Sequence, residues 1–237
     1  VTVQNSVGVT GVHTIPVDTI AGQISTVASD IGLQAAKTGM LANAEIIETV
    51  VRACDGCGIG AGLATPFVVD PVAASMHGDP LLAAEALDAY RHTLFPRATL
   101  VTPNLDEIRL LVEHDVPARA GQYVAAKALH ALGPRAVLVK GGHLAEDTDG
   151  CLDLLYDGET AVELPGPRFD TGHTHGGGDS LAAAIASGLA RGMELEAAVR
   201  FGKRYIVEAV RHAYPLGAGH GPVSALWAVR SWWDERD

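Results

Sequence analysis

The sequence has little positive charge, few cysteines and no long apolar run, and each shortage excludes a class of protein. Its 237 residues include 17 lysines and arginines against 28 aspartates and glutamates, so the formal net charge is −11. An acidic chain repels nucleic-acid phosphates. Three cysteines are too few for a disulfide scaffold and favour a cytoplasmic location. No apolar run approaches the ~20 residues of a membrane-spanning helix.

Two of the cysteines, Cys54 and Cys57, are spaced as a CxxC pair. A structural zinc site would need a second pair of ligands, and the sequence offers no second CxxC. The pair is therefore interpreted as free thiols near the end of a helix rather than as a metal or redox centre.

Short apolar runs alternate with longer amphipathic runs along the chain. Because short apolar strands separated by helices form a parallel sheet covered on both faces, the pattern predicts one α/β domain over residues 1–237, with a C-terminal tail at 225–237. The predicted strands lie at 33–37, 67–69, 99–101 and 136–140, and the predicted helices at 17–29, 44–53, 81–92, 122–132, 180–190 and 195–214.

The pattern changes after residue 140. Two apolar runs, at 152–156 and 160–164, flank Asp157-Gly158, and an Asp-Gly pair between such runs is a strong hairpin signal. The sequence therefore predicts an antiparallel hairpin at one edge of the parallel sheet.

The segment Gly176-Gly177-Gly178-Asp179 directly precedes a predicted helix of small residues. Free amides at a glycine-rich helix start suit a phosphate group. A carboxylate beside them can take a proton from an attacking hydroxyl during phosphoryl transfer. The alternative is an ordinary helix start, with Asp179 as the N-cap after a glycine turn. The segment is not a Walker loop, because no Gly-Lys-Ser/Thr follows the glycines.

Three further segments place polar side chains directly after predicted strands. Ligands bind at the carboxyl ends of parallel strands, so Asp70 is a candidate for Mg²⁺ and Lys140 for phosphate oxygens. Glu107 is a candidate neighbour of the metal and phosphates. Each has a simpler alternative: Asp70 starts a loop before proline, Asn104 and Glu107 form a capping box, and Lys140 is a solvated lysine before a turn.

Together these segments resemble the ribokinase-like superfamily, and within it the hydroxymethylpyrimidine/phosphomethylpyrimidine kinases of thiamine biosynthesis. The resemblance implies a three-layer sandwich with a mostly parallel central sheet, helices on both faces and an antiparallel edge hairpin. The matching segments are Thr2-Val3-Gln4-Asn5-Ser6-Val7-Gly8-Val9, Lys37-Thr38-Gly39-Met40-Leu41, Val69-Asp70-Pro71-Val72, Thr102-Pro103-Asn104-Leu105, Val139-Lys140-Gly141-Gly142-His143-Leu144, His175-Gly176-x-Gly178 and His220-Gly221-Pro222-Val223.

The resemblance also implies site residues, ligands and partners. It implies ATP and Mg²⁺, leaves a monovalent cation open, and implies a homodimer in which exposed apolar strands near the start supply the surface. The implied substrate-binding residues are Gln4, Met40 and Val72. The implied ATP-binding residues are Lys140, Asn104 and Thr171, the metal-binding residues are Asp70 and Glu107, and the catalytic centre is Asp179 with Gly176, Gly177 and Gly178.

The chain departs from the family pattern at several positions. Many pyrimidine kinases carry cysteine where this chain has Asp179, the loop's usual threonine or alanine is Gly177, and Asp106 replaces a usual proline. The chain also begins at Val1, inside a strand-like pattern and after the strand and glycine-rich segment with which family members start. We therefore expect a substrate site that is open on one side.

The expected reaction is transfer of the ATP γ-phosphoryl group to the hydroxymethyl oxygen of 4-amino-5-hydroxymethyl-2-methylpyrimidine, and then to its monophosphate. Two alternatives stay open. A pyridoxal kinase acts on another flat heteroaromatic alcohol, and a non-catalytic pyrimidine- or nucleotide-binding module would follow from loss of the N-terminal segment.

Overall fold

The computed structural model describes residues 1–73, 82, 84–142, 144 and 150–229. Two strands form an antiparallel ribbon of their own, and six more form the main sheet. The ribbon consists of β1 (Thr2–Gln4) and β2 (Val9–Val12). The main sheet consists of β3 (Ala36–Thr38), β4 (Phe67–Val69), β5 (Leu100–Val101), β6 (Val137–Val139), β7 (Gly150–Tyr156) and β8 (Ala161–Pro167).

The six strands of the main sheet lie side by side in chain order, β3 to β8. The pairs from β3 to β6 are parallel, whereas β7 pairs antiparallel with β6 and with β8. Asp157 holds the turn between β7 and β8, because its side chain accepts from the amides of Glu159 and Thr160 at 3.0 and 2.7 Å. The predicted parallel sheet with an antiparallel edge hairpin is confirmed.

Seven α-helices connect or flank these strands in the described part of the chain. They are α1 (Val17–Asp30), α2 (Ala44–Gly56), α3 (Ala84–Ala89), α4 (Leu105–Val112), α5 (Arg119–His130), α6 (Gly177–Ala190) and α7 (Leu195–Arg211). Helix α3 runs into a π-helical turn, Tyr90–Leu94, where the sequence predicts a regular helix. Residues 81 and 83 of that prediction lie outside the described residues.

Both faces of the main sheet are buried, as the alternation along single strands shows. Phe67 and Val69 of β4 pack into one apolar cluster with helices α2 to α5, whereas Val68 packs into a second cluster with α6 and α7. The same alternation recurs in β6. Because neighbouring strand residues point to opposite faces of a sheet, one cluster lies on each face, and the three predicted layers are confirmed. Packing on both faces holds the strands whose ends carry the predicted site residues.

The ribbon β1–β2 has a different surface from the rest of the fold. Its valines are at least half exposed (Val1 68%, Val3 62%, Val9 50%, Val12 58%). The adjoining helix α1 has no buried residue and contributes only partly buried side chains such as Ile20 and Ile24 to the core. Exposed apolar strands near the start are therefore present as predicted.

The CxxC cysteines lie at the end of helix α2, as predicted. Cys54 is buried within the helix and Cys57 caps it, and both thiols are free. Burial, with smaller contributions from Cys57 and Asp55, raises the pKa of Cys54 to about 11. Its thiol therefore stays protonated and unreactive at neutral pH.

Part of the predicted C-terminal tail lies outside the described residues. Trp232-Trp233 of the predicted tail, and the tail from residue 230 onward, lie outside them. Within the described ranges, no helix combines the length and the apolar character needed to cross a membrane.

Candidate active site

Three predicted residues meet where β4, β5 and β6 end. The Lys140 ammonium Nζ lies 3.0 Å from Asp70 Oδ1 and 3.9 Å from Glu107 Oε2. Thr102, directly after β5, donates its hydroxyl to the same Asp70 oxygen at 3.2 Å. Both carboxylates are only 3% exposed as whole residues. Adjacent parallel strands end at one edge of the sheet, and this edge gathers a partly buried cation between two buried carboxylates.

The charges of this group affect one another strongly. Burial raises the pKa of Glu107, and attraction to Lys140 opposes that rise only in part. Burial disfavours the Lys140 ammonium, but Asp70 and Glu107 together outweigh burial, and the pKa of Lys140 is raised. Lys140 therefore carries its positive charge at neutral pH. The solvated-lysine alternative is wrong, because the side chain is only 14% exposed and its ammonium contacts two buried carboxylates.

Glu107 has a structural role as well. The backbone amide of Asn104 donates to Glu107 Oε2 at 2.7 Å, and the backbone amide of Glu107 donates to Asn104 Oδ1 at 2.8 Å. This reciprocal pair is a capping box at the start of α4. The capping interpretation is therefore confirmed, and it coexists with the contact to Lys140, because Glu107 uses the capping bond to hold its carboxylate at the sheet edge.

The glycine segment forms the first turn of α6 rather than a loop before it. Gly176 is the N-cap, with φ +77° in the left-handed region that favours glycine, and the helix begins at Gly177 instead of the predicted residue 180. Asp179 is the third helical residue, so the alternative in which it is the N-cap is wrong. The Gly177 amide donates to the Thr174 carbonyl at 3.0 Å. A helix supplies no acceptor for the remaining first-turn amides.

Gly178 brings this helix start against the buried charges. A Cβ added to Gly178 would lie 3.1 Å from Lys140 Nζ and 3.4 Å from Asp70 Oδ2. Only a residue without a side chain allows such an approach without displacing the ammonium. The first-turn amides and the Lys140 charge thus face the same space, which suits an anion such as a phosphate group.

Asp179 contacts a lysine to which the sequence assigned no role. Its Oδ1 forms an ion pair with Nζ of Lys37, the middle residue of β3. The Asp179 side chain is 66% exposed and that of Lys37 is 22% exposed. The signal that could have found Lys37 is its place near the end of a parallel strand, directly before Thr38-Gly39, as Lys140 stands before two glycines.

A second buried ion pair supports the turn after Lys140. Lys203 Nζ lies 2.6 Å from Asp153 Oδ2, and the other Asp153 oxygen accepts from the Gly141 amide at 2.9 Å. A Cβ on Gly141 would lie 1.9 Å from the Leu152 carbonyl oxygen, so only glycine fits there. This pair was not predicted from the sequence, although an aspartate in the apolar strand β7 was an available signal.

The residues predicted from resemblance to bind substrate occupy separate elements. Met40 follows β3 and is 41% exposed. Val72 follows Asp70-Pro71 with φ +40°, a conformation that β-branched residues rarely adopt and that concentrates at functional sites. Gln4 lies on the exposed ribbon, where its Oε1 accepts from the Thr2 hydroxyl at 3.3 Å. Among the described residues, no hydrogen bond or ion pair joins Gln4 to the charged group.

A chain of hydrogen bonds connects the ribbon to the segment before α6. The Ser6 carbonyl accepts from the His220 amide at 2.9 Å, and His220 Nδ1 lies 2.7 Å from the Gly172 carbonyl oxygen. Thr171, the predicted nucleotide-binding residue, lines an adjoining surface depression of about 470 Å³ together with Arg168, Phe169 and Asp170. The ribbon and the helix start are thus tied through the segment around His220.

The carboxylates of Asp70 and Glu107 suit a metal site that is completed by a ligand. Within the described ranges, no group of three or more histidines, cysteines, aspartates and glutamates could hold an ion. Asp70 and Glu107 supply two carboxylates beside the first-turn amides. Mg²⁺ is usually bound by one or two carboxylates, with substrate phosphates and water completing the octahedron. The residues therefore fit a magnesium ion that arrives with a nucleotide, and not an all-protein cage.

Comparison with known proteins identifies the family. The family model described as "Phosphomethylpyrimidine kinase" matches residues 1–224. The chain belongs to the phosphomethylpyrimidine kinase family. It is 58% identical over 229 residues to the hydroxymethylpyrimidine/phosphomethylpyrimidine kinase of Mycobacterium tuberculosis strain H37Rv. The match covers 97% of this chain and 82% of that protein.

Two further relatives extend the comparison of this phosphomethylpyrimidine kinase family member. The chain is 39% identical to the thiamine biosynthesis bifunctional protein ThiED of Geobacter sulfurreducens, covering all of this chain and 46% of that one. Its fold matches an ADP complex of Bacillus subtilis pyridoxal kinase with a TM-score of 0.83 at 34% identity, over 92% of this chain and 80% of that one. The predicted family and ribokinase-like fold are confirmed, and the enzyme class is a phosphotransferase.

Proposed function

We propose that this protein phosphorylates the pyrimidine alcohol 4-amino-5-hydroxymethyl-2-methylpyrimidine with ATP, and then phosphorylates the resulting monophosphate, in thiamine biosynthesis. The observation that carries the proposal is the meeting of Asp179, the glycine-rich start of α6 and the buried Lys140 group in a chain of this family.

In the proposed first transfer, the hydroxyl oxygen attacks the γ-phosphorus, Asp179 accepts the hydroxyl proton, and ADP leaves. The amides of Gly176 and Gly178, together with Lys140, stabilise the negative charge on the transferring group, whereas the Gly177 amide already donates to the Thr174 carbonyl. Asn104 and Thr171 contribute to the nucleotide site. When bound, Mg²⁺ would be held by Asp70 and Glu107, directly or through water, and would neutralise phosphate charge.

The proposed acceptor pocket lies at the end of β3. Met40 would offer its exposed apolar side chain to a flat ring, and Val72, with its strained backbone, would supply a second contact. Two residues before Met40, the buried Thr38 hydroxyl has no hydrogen-bond partner in the part of the chain that is described. An unpaired buried hydroxyl is costly, and a ring nitrogen or amino group would satisfy it. Gln4 would reach the pyrimidine edge from the ribbon.

Steady-state ADP release distinguishes the candidate functions. We expect release that depends on the pyrimidine alcohol, with kcat/KM at least about tenfold above that for pyridoxal, because a site built for one set of hydrogen bonds rejects another. A preference for pyridoxal would support the pyridoxal kinase alternative, which the likeness to the B. subtilis enzyme favours. Calorimetric binding of the pyrimidine with no ADP formed over hours would instead indicate a binding module.

A homodimer through the ribbon is part of the proposal. The exposed valines of β1 and β2 are apolar surface that a second copy would cover. Light scattering is expected to give twice the monomer mass. Val9→Lys together with Val12→Lys should reduce that to the monomer mass, whereas Val124→Lys, at an exposed position on α5, should not. A monomer mass for the unaltered chain would contradict the proposal.

A further inference from the structure

Two lysines, Lys37 and Lys140, lie beside the start of α6, and they are held in different ways. Lys140 lies between two carboxylates that are each almost completely buried, so its ammonium is fixed in place at the sheet edge. Lys37 has Asp179 as its partner, and the Asp179 side chain is two-thirds exposed. An exposed carboxylate has room to turn away from its partner, so the Lys37 charge can be given to a ligand.

The Lys37–Asp179 pair borders the backbone that leads to the proposed acceptor pocket. A Cβ added to Gly39 would lie 3.3 Å from Lys37 Nζ and 3.5 Å from Asp179 Oδ1. Gly39 separates the exposed Met40 from the Thr38 hydroxyl, which finds no hydrogen-bond partner among the described residues. An acceptor whose ring lies on Met40 would therefore present its reacting arm to both members of the pair.

The two proposed transfers make opposite demands on this pair. An alcohol must lose a proton as it attacks, and a carboxylate accepts that proton. A phosphate monoester carries about −1.5 to −2 charges at neutral pH, so its attacking oxygen has no proton to lose. For this acceptor the Asp179 carboxylate is a repelling neighbour, and a lysine is a natural ligand.

We propose that Lys37 is the residue that binds the phosphate of the second acceptor, and that the Lys37–Asp179 pair divides the two transfers between its members. With the alcohol, Asp179 accepts the proton of the reacting hydroxyl. With the monophosphate, Lys37 leaves Asp179 and binds the acceptor phosphate, one oxygen of which attacks the γ-phosphorus while ADP leaves. This inference rests on the proposed function, since it requires both transfers.

The test compares kcat/KM for the pyrimidine alcohol with kcat/KM for its monophosphate, at saturating ATP, in matched variants. Lys37→Met should move the ratio towards the alcohol by at least about tenfold, mainly through a higher KM for the monophosphate. Asp179→Asn should move the ratio at least as far towards the monophosphate. Lys37→Arg should recover most of the lost monophosphate activity, and Lys127→Met, which removes a lysine lying over the Tyr123 ring on α5, should leave the ratio at the native value.

Equal losses on both acceptors in Lys37→Met would overturn the inference, because a merely structural lysine would affect both transfers alike. If that variant does not fold, as judged by its melting curve, Lys37→Gln gives the same comparison with a neutral polar side chain. Failure of the proposed function has a different signature, in which the unaltered protein releases no ADP with either acceptor.

Discussion

Replacing Asp179 with asparagine is expected to lower turnover of the pyrimidine alcohol by about 10²- to 10⁴-fold, the usual contribution of a positioned general base. Asparagine keeps the size of the side chain but cannot accept the hydroxyl proton. The first-turn amides and the Lys140 group stay in place, so KM for ATP should change little. Single-turnover formation of ADP, measured with both substrates saturating, separates the chemical step from binding.

The control for this prediction is Asp106→Asn. Asp106 is also a first-turn carboxylate, on α4, and is partly exposed beside Arg109, so it is a carboxylate in the same turn of a helix without the proposed chemistry. Because Gly176 and not Asp179 caps α6, neither variant should lower stability by more than about 1 kcal/mol, the scale of a charge near a helix end. Turnover of Asp179→Asn within a few fold of the native rate would exclude Asp179 as the base.

The sheet edge was predictable because the rules that place it are local. Apolar runs ending in Asp70 and Lys140, and an Asn104-to-Glu107 capping spacing after a third run, each put a polar side chain at a strand end. Parallel pairing then brings the three strand ends together. Phe67–Val69 matches its predicted strand, and the boundaries of the other strands shift by at most three residues, which leaves the polar side chains at the same edge.

The start of α6 was less predictable. Glycine is a poor helix former, so the pattern placed the first helical residue at 180, after the three glycines. In the structure the Ser180 amide donates to the Gly176 carbonyl at 2.9 Å, which extends the helix back to Gly177. Gly178 lies against the Lys140 group, where a Cβ would come 3.1 Å from the ammonium, and this close approach favours glycine at a helical position despite its low propensity.

Contacts between distant segments were beyond the sequence. Lys37 and Asp179 are 142 residues apart, and Asp153 meets Lys203 across 50 residues. The antiparallel edge sets which face of β7 turns towards α7, and a pattern of alternating residues does not specify that partner. Sequence reasoning therefore recovers the residues fixed by strand ends, and misses the ion pairs fixed by packing.

Removing the Lys140 charge has the broadest expected consequence, because one ammonium serves both binding and folding. Lys140→Met should lower kcat/KM for ATP by more than about a hundredfold, since loss of a charge from a buried hydrogen-bonded pair costs about 2–5 kcal/mol. It should also lower the free energy of unfolding by about 3–5 kcal/mol, because Asp70 and Glu107 are left buried without a counter-ion. Steady-state kinetics and urea unfolding measure the two effects.

The pH dependence of the stability loss identifies its cause. Burial already raises the pKa of Glu107, and Lys140 opposes that rise, so the variant should raise it further. Below that raised pKa the folded state holds a proton that the unfolded chain, with a glutamate pKa of 4.5, has released. Stability therefore increases as pH falls through this window, and the deficit should be smaller at about pH 5 than at about pH 7.5.

A double variant separates the two roles of Lys140. Adding Asp70→Asn to Lys140→Met removes one of the stranded charges, so part of the lost stability should return, while activity with ATP should stay low because both the ammonium and a proposed magnesium ligand are gone. Lys127→Met serves as the charge-matched control. A pH-independent deficit, or stability that does not recover in the double variant, would show that packing of the lysine stem, and not its charge, holds the three strand ends together.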